Sequence, residues 1–213
     1  MRFLITAGPT REPLDPVRFI SNRSTGKMGF ALAQAAAEAG HEVVLIAGPV
    51  ALETPPGVRR VDVETALEML AAVERELPAA EVYISCAAVA DWRPEVCSPT
   101  KLKKREMEGT LRLVRNPDIL KTIRPLKGNR TFVGFAAETG EPDAEATRKL
   151  REKGLDMIVA NDVTAPGAGF AHDTNRVTLL FPDGRREALP LMAKHAVAQR
   201  VIACAKTLAS RPE

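Results

Sequence analysis

The stretch that decides the fold runs from Arg2 to Ala47. Phe3-Leu4-Ile5 leads through Thr6-Ala7 into Gly8-Pro9, an Ala-rich pattern fills Gly26 to Ala39, and Val43-Val44-Leu45-Ile46-Ala47 follows Gly40. Short runs that are apolar at every position, rather than at every second one, mark strands buried on both faces, as in a parallel sheet. The helical pattern stops at Gly40, a residue suited to a C-terminal cap. The unit reads as strand, loop, helix, strand.

The same alternation continues outward. Val58 to Val61 reads as a strand, about Glu64 to Glu76 as a helix, and Val82 to Ala88 as a buried strand. Asn116-Pro117-Asp118 opens a helix, Phe132 to Ala136 is the next strand, Pro142 to Lys153 a charged helix and Met157 to Ala160 a further strand. Arg176 to Phe181 and Arg186 to Leu189 flank Pro182-Asp183-Gly184 as a hairpin, and a helix follows from about Pro190 to Leu208. Residues 89–116 break the rhythm with Arg93-Pro94, Ser98-Pro99 and Lys101-Leu102-Lys103-Lys104-Arg105, before Thr110 to Arg115 resumes as an alternating strand. The expectation is an α/β chain with a Rossmann-like, mostly parallel sheet flanked by helices, forming one domain over 1–213. An excursion at about 89–116 acts as a dimerisation flap, and a hairpin plus helix ends the chain.

Composition narrows the function. The 213 residues are 45% hydrophobic, enough for a substantial core, and Lys plus Arg exceed Asp plus Glu by 30 to 27. That mild excess suits small anionic substrates better than nucleic acid, and an aromatic share of 4% argues against a stacking platform for single strands. The apolar opening is too short for a signal or a membrane span, so a cytoplasmic protein without membrane attachment is expected. Cys86, Cys97 and Cys204 are widely spaced and form no CxxC pair, so neither a disulfide framework nor a zinc site is suggested.

Glycines between a strand and a helix invite a dinucleotide-binding interpretation. The fingerprint fails here: Gly26 and Gly29 follow a long connection, Ser24 stands at the earlier glycine position, and Ala47-Gly48-Pro49 offers no acid for an NAD ribose. A phosphate-binding P-loop fails too, with Ser21 in place of its first glycine and Met28 in place of the magnesium-binding hydroxyl. What remains is a connection from Pro9 to Thr25 rich in anion-holding groups, including Arg11, Arg18, Asn22 and Thr25, against the ordinary alternative of a solvated loop.

Thr6-Ala7-Gly8-Pro9-Thr10-Arg11-Glu12-Pro13-Leu14-Asp15 and Ser21-Asn22-Arg23-Ser24-Thr25-Gly26-Lys27-Met28-Gly29 resemble phosphopantothenate-cysteine ligase. So do Cys86-Ala87-Ala88-Val89-Ala90-Asp91-Trp92-Arg93, Lys101-Leu102-Lys103-Lys104, Asn116-Pro117-Asp118-Ile119, Gly134-Phe135-Ala136-Ala137-Glu138-Thr139 and Ala160-Asn161-Asp162-Val163, in order along nearly the whole chain. The resemblance implies ligation of 4'-phosphopantothenate to L-cysteine through an acyl-cytidylate, with CTP as co-substrate, Mg2+ as cofactor and a homodimer as the assembly. Eukaryotic relatives tend to use ATP. Bacterial members are often fused to a flavin-dependent decarboxylase, and decarboxylation is not expected of this chain.

Residue by residue, the resemblance assigns Asn22 and Lys101 to catalysis, and Arg18, Asn22, Ala87 and Ala88 to the acid substrate. Ser85, Cys86, Ala87, Asp91, Lys101, Pro117, Asp118, Ile119, Leu120, Phe135, Lys149 and Lys153 are assigned to the nucleotide, and no metal ligand is specified. Each has a plainer alternative: a helix-capping Asn22, a loop salt bridge for Arg18, a turn residue for Asp91, a solvated charge run at Lys101 to Lys104, core packing for Phe135, and solubilising lysines at 149 and 153. Cys86 is expected to be a small buried hydrophobe. Disorder without ligand is expected near Arg105 to Gly109. Two other functions stay open, an NAD(P)-dependent reductase, against which the lone Tyr83 lacks a lysine four residues on, and a nucleotide-binding module without turnover.

Overall fold

The computed structural model describes residues 1–106, 109–138, 142–162 and 172–210. Its strands are β1 (Arg2–Ala7), β2 (Arg11–Pro13), β3 (Phe19–Ser21), β4 (Glu42–Ala47), β5 (Val58–Asp62), β6 (Val82–Ser85), β7 (Trp92–Pro94), β8 (Leu113–Arg115), β9 (Thr131–Glu138), β10 (Met157–Asp162), β11 (Thr174–Asn175), β12 (Val177–Leu180), β13 (Arg186–Ala188) and β14 (Met192–Ala193). The helices are α1 (Lys27–Glu38), α2 (Ala66–Glu76), α3 (Ile119–Ile123), α4 (Pro142–Glu152) and α5 (Lys194–Ala209).

The central sheet has the order β13-β12-β10-β9-β6-β1-β4-β5. From β10 to β5 all neighbours are parallel, and β12 and β13 add an antiparallel edge. The apolar runs are continuous because both faces are covered. Phe3, Ile5 and Ala7 of β1 pack with residues of α1 and α5, whereas Leu4 points to the opposite core under α2, α3 and α4. No helix among the described residues is long and apolar enough to cross a membrane.

Several elements differ from the sequence expectation, each because a local bond wins. The connection from Pro9 to Thr25 contains a small antiparallel hairpin of β2 and β3, with Glu12 opposite Ile20. Buried Glu12 turns inward and accepts a hydrogen bond at 3.0 Å from the Ala66 N–H at the start of α2, while Thr65 and Glu68 form that helix's capping box. β6 stops at Ser85 instead of reaching Ala88. The helix expected from Asn116 starts only at Ile119, because Asp118 is extended and caps it. α5 starts at Lys194, because Met192 and Ala193 pair with β11. In the flap only Leu113–Arg115 pairs, antiparallel to Trp92–Pro94. Arg105 lies in a single 3-10 turn, Lys104–Glu106. Met107 and Glu108, the centre of the segment expected to be disordered, lie outside the described residues.

One buried carboxylate ties hairpin to flap. Asp15 accepts from the Val17 and Arg18 N–H groups at 2.8 Å and from the Leu102 N–H at 3.1 Å. The Arg18 guanidinium grips the same carboxylate at 2.6 and 3.0 Å, and also donates to the Leu102 carbonyl at 2.8 Å. The guanidinium, with these N–H bonds, holds the Asp15 carboxyl well below the usual carboxylate range. A depressed folded-state pKa contributes stability that is complete above the unfolded value near ~3.9 and is lost as pH falls through the folded one. Protection of the Leu102 amide from hydrogen exchange is therefore expected to persist to about pH 4 and to fail only in stronger acid, whereas Asp15→Asn loses it at neutral pH.

Helix α1 sits so close to the sheet that a Cβ at Gly29 would collide with the Cβ of Ala7. Gly29→Ala is expected to push the helix outward, at a cost of about 1–3 kcal/mol for overpacking. Thermal unfolding should report this as a drop of roughly 2–12 °C for a chain of this size.

Candidate active site at the strand ends

The chain moves from β1 to β4 and β5 on one side, and from β6 to β9 and β10 on the other, so a switch point lies between β1 and β6. Beyond β6 the backbone is held by residues near the N-terminus. Thr6 Oγ1 accepts from the N–H groups of Cys86 and Ala87, both at 3.3 Å, the Ala88 N–H donates to the Gly8 carbonyl at 2.8 Å, and Asn22 Nδ2 donates to the Ala88 carbonyl at 2.9 Å. Asn22 is thus no helix cap. Gly26 precedes α1 in a left-handed conformation, with φ near +79°, and no side chain caps that helix.

Two hollows open along this segment, sharing Ala87 and Phe135 as their dividing wall. The first is a cleft of about 180 Å³ that brings together Ser85, Ala87, Asp91, Pro117, Asp118, Ile119, Leu120, Phe135 and Lys153. Ile119 and Leu120 bury their side chains in the core, so what they offer the cleft is backbone. Asp118 accepts from the Lys121 N–H at 3.2 Å and pairs with Lys153 at 3.0 Å, placing a carboxylate and an ammonium side by side. Asn116, to which the sequence reading gave no role, braces the wall: its Nδ2 donates to the Ala90 carbonyl at 2.8 Å, and its Oδ1 accepts from Arg93 at 2.9 Å.

The second hollow is a cradle of about 90 Å³ at the N-terminus of α1. Lys194, Asn161, Asn175, Cys86 and the turn from Ser24 to Gly29, Lys27 included, line it, and no carboxylate does among the described residues. Lys194 is only 6% exposed, and burial, with Lys27 nearby, lowers its pKa. Burial pushes the Cys86 thiol up to about 12, which leaves it neutral, as expected of a small hydrophobe. Lys27 also pairs with Asp173 at 2.7 Å. Helix N–H groups and two ammoniums, with Asp173 on Lys27 as the carboxylate beside them, leave a positive excess that favours an anion. Sequence reasoning missed Lys194, Asn161 and Asn175. Asn161 lay within a recognised block, but Lys194 carries no local motif.

Other expected residues are not brought into the cleft. Lys101 lines a separate, broad opening of about 680 Å³ with Arg18, Lys103 and Lys104. Arg18 is engaged by Asp15 and the Leu102 carbonyl, so the loop salt bridge is realised. The Lys153 N–H donates to the Lys149 carbonyl at 3.0 Å, so the two lysines stand one helical turn apart as expected; Lys149 pairs with Glu145 at 3.7 Å, and of the two only Lys153 lines the cleft. Tyr83 is fully buried, meets Phe132 edge-on at 5.5 Å, and has its hydroxyl pushed up to about 12 by burial. That removes it as the acid of a reductase.

This chain is similar to the coenzyme A biosynthesis bifunctional protein CoaBC of Vibrio cholerae, 52% identical over 204 residues, covering 94% of this chain and 51% of that protein. The Escherichia coli protein of the same name is 50% identical over 206 residues, covering 95% and 50%. The chain therefore spans about half the length of the curated relatives it matches. The crystal structure of the C-terminal domain of a CoaBC protein superposes with a TM-score of 0.82 at 46% identity, covering 97% of this chain and 96% of that one. A Cab2 variant solved in complex with phosphopantothenate-cysteine shares the fold, with a TM-score of 0.78 at 18% identity over 98% of this chain and 87% of that one. The family model for the DNA/pantothenate metabolism flavoprotein C-terminal domain matches residues 1–208, and the chain belongs to that family.

Proposed function

We propose that this chain ligates 4'-phosphopantothenate to L-cysteine as a step of coenzyme A biosynthesis, using CTP and passing through an acyl-cytidylate. The observation that carries the proposal is the clamp of Asn22 on the Ala88 carbonyl, at the wall dividing the cleft from a cradle suited to a phosphate. The names of the relatives support the pathway, and the phosphopantothenate-cysteine bound to the Cab2 variant supports the product class.

A carboxylate resists attack by an amine, so it must first gain a leaving group. In the first step a carboxylate oxygen of the acid attacks the α-phosphorus of CTP, the bond to the β-phosphate breaks, and pyrophosphate departs with the electron pair. In the second, the cysteine nitrogen attacks the acyl carbon, the bond to the phosphate oxygen breaks, CMP leaves and the amine loses a proton. The cleft takes the nucleotide, with Asp91 toward the ribose and Phe135 beside the base, and the cradle takes the phosphate of the acid through Lys27, Lys194 and the amides of α1. Asn22 steadies the acyl group, and Lys101 meets the triphosphate as the flap closes. Among the described residues no group of three or more His, Cys, Asp or Glu side chains could cage a metal, so a magnesium ion would be held chiefly by phosphate oxygens and water, with Asp91 and Asp118 nearest. Bound there, it would offset the charge developing on pyrophosphate.

The assembly is a homodimer through hairpin and flap. Val17, Phe19, Trp92, Val96, Leu111 and Leu113 expose large apolar surface on these two units, with Val96 at 75%. Asp15 and the bond from the Ser98 N–H to the Leu14 carbonyl at 2.8 Å hold the two units together. A second copy of the same surface covers such an isologous patch. A cytoplasmic setting suits the three free cysteines.

Pyrophosphate is expected to appear with 4'-phosphopantothenate, CTP and magnesium before cysteine is added. A chain that binds CTP yet never releases pyrophosphate with any nucleotide is a binding module instead. Asn22→Asp should accumulate acyl-cytidylate while product formation falls, and an unchanged product yield removes Asn22 from the mechanism. Lys101→Ala is expected to lower kcat/KM about a hundredfold, the scale for losing one charge-stabilising donor. Val96→Asp combined with Leu111→Asp should halve the mass measured by sedimentation.

A further inference from the structure

The segment from Cys86 to Asp91 borders both hollows, yet it has left the sheet, so its backbone groups are satisfied from elsewhere. Thr6 and Asn22 hold its beginning and middle. At its far end Asn116 holds the Ala90 and Asp91 carbonyls, both at 2.8 Å, and on the side of the N-terminal loop a buried hydroxyl holds the Ala90 N–H: Thr10 Oγ1 accepts from it at 2.9 Å, and Thr10 is 0% exposed. The same residue's N–H donates to the Ala88 carbonyl at 3.3 Å, and its carbonyl accepts from Ser21 Oγ at 2.7 Å. Thr10 therefore joins Ser21, the neighbour of Asn22, to Ala90, the neighbour of Asp91.

We propose that Thr10 is a positioning residue for the ligation, setting the span between the acyl-holding Asn22 and the nucleotide segment Ala87 to Asp91. This rests on the ligase function proposed above. Its side chain adds nothing to the main sheet ladder, and a valine would fill the same volume without the acceptor, leaving the Ala90 N–H buried and unpaired. The side chains that bind each substrate are all retained when Thr10 changes; what shifts is their relative position. A misplacement on the order of 1 Å between two reacting groups lowers a rate about a hundredfold while leaving separate binding little altered.

The test uses the full chain and follows pyrophosphate release in single turnover, CTP affinity by calorimetry, and kcat and KM for the acid. Thr10→Val is expected to slow pyrophosphate release about 30- to 100-fold, with CTP affinity and KM within about threefold of the parent. Thr10→Ser, which keeps the acceptor, should restore the rate to within about threefold. Ser21→Ala, which loosens the other end of the bridge without touching the core, should slow the same step by a smaller factor. If the parent turns over and Thr10→Val keeps its rate, the positioning role is overturned while the ligase function stands. Equal failure of Thr10→Val and Thr10→Ser, or a loss of CTP affinity matching the loss of rate, also overturns it. A parent chain that releases no pyrophosphate overturns the function and this inference together.

Discussion

When β6 ends at Ser85, the backbone from Cys86 to Ala90 leaves the ladder while remaining largely enclosed, and each of its polar groups needs a partner. Thr6, Gly8, Thr10 and Asn22 provide partners, and Asn116 adds one from the opposite side. The two hollows exist because of this arrangement. The segment is their common wall, held by these bonds and one parallel bridge between Ala88 and Pro9 and not by a continuous ladder, and its small side chains leave room for ligands on both sides. A further strand residue or two at this point would extend the ladder into that space.

Charge divides the two hollows. The cradle gathers ammoniums and helix amides, with Asp173 paired to Lys27 and no carboxylate lining it among the described residues, whereas the cleft mixes Asp91 and Asp118 with Lys153. Burying Lys194 at the base of the cradle is unfavourable in isolation, which is why its pKa falls, and an anion would offset that cost. Asp15 shows the opposite economy on the hairpin: a buried carboxylate satisfied by a guanidinium and three backbone N–H groups is stable in the chain alone. Arg18 is consequently occupied before any ligand arrives, and an incoming phosphate would have to compete with Asp15 for it.

The sheet was legible in the sequence because its parallel strands are buried on both faces and so are continuously apolar, as in Phe3 to Ala7 and Val43 to Ala47. The cleft was legible through Asp91, Pro117 to Ile119 and Phe135, inside short blocks with a family signature, and through Ser85 and Leu120 beside them. The β2–β3 hairpin was not. Its strands are three residues long, with polar and apolar positions mixed, and Glu12 faces the interior only because the N-terminus of α2 meets it there. Lys194 was hidden for a similar reason. A lysine at the start of an amphipathic helix looks like any solvated one until the sheet brings it beside Lys27, far away in the chain. Lys149 and Lys153 do stand one helical turn apart, but spacing along a helix does not say which of the two reaches the cleft.

Gly29 connects the core to the chemistry. Because it has no Cβ, α1 settles directly against Ala7 at the carboxyl end of β1, and its free N–H groups come to rest at the level where β6 leaves the sheet. The left-handed Gly26 then turns the chain back toward Ser24 and Asn22, carrying the amide that clamps Ala88. Helix seating, cradle depth and the Asn22 clamp are thus one mechanical unit. A change that lifts α1 would move the cradle's amides away from Lys194 and loosen Asn22 on the dividing wall, so a defect in packing would register as a defect in both halves of the site.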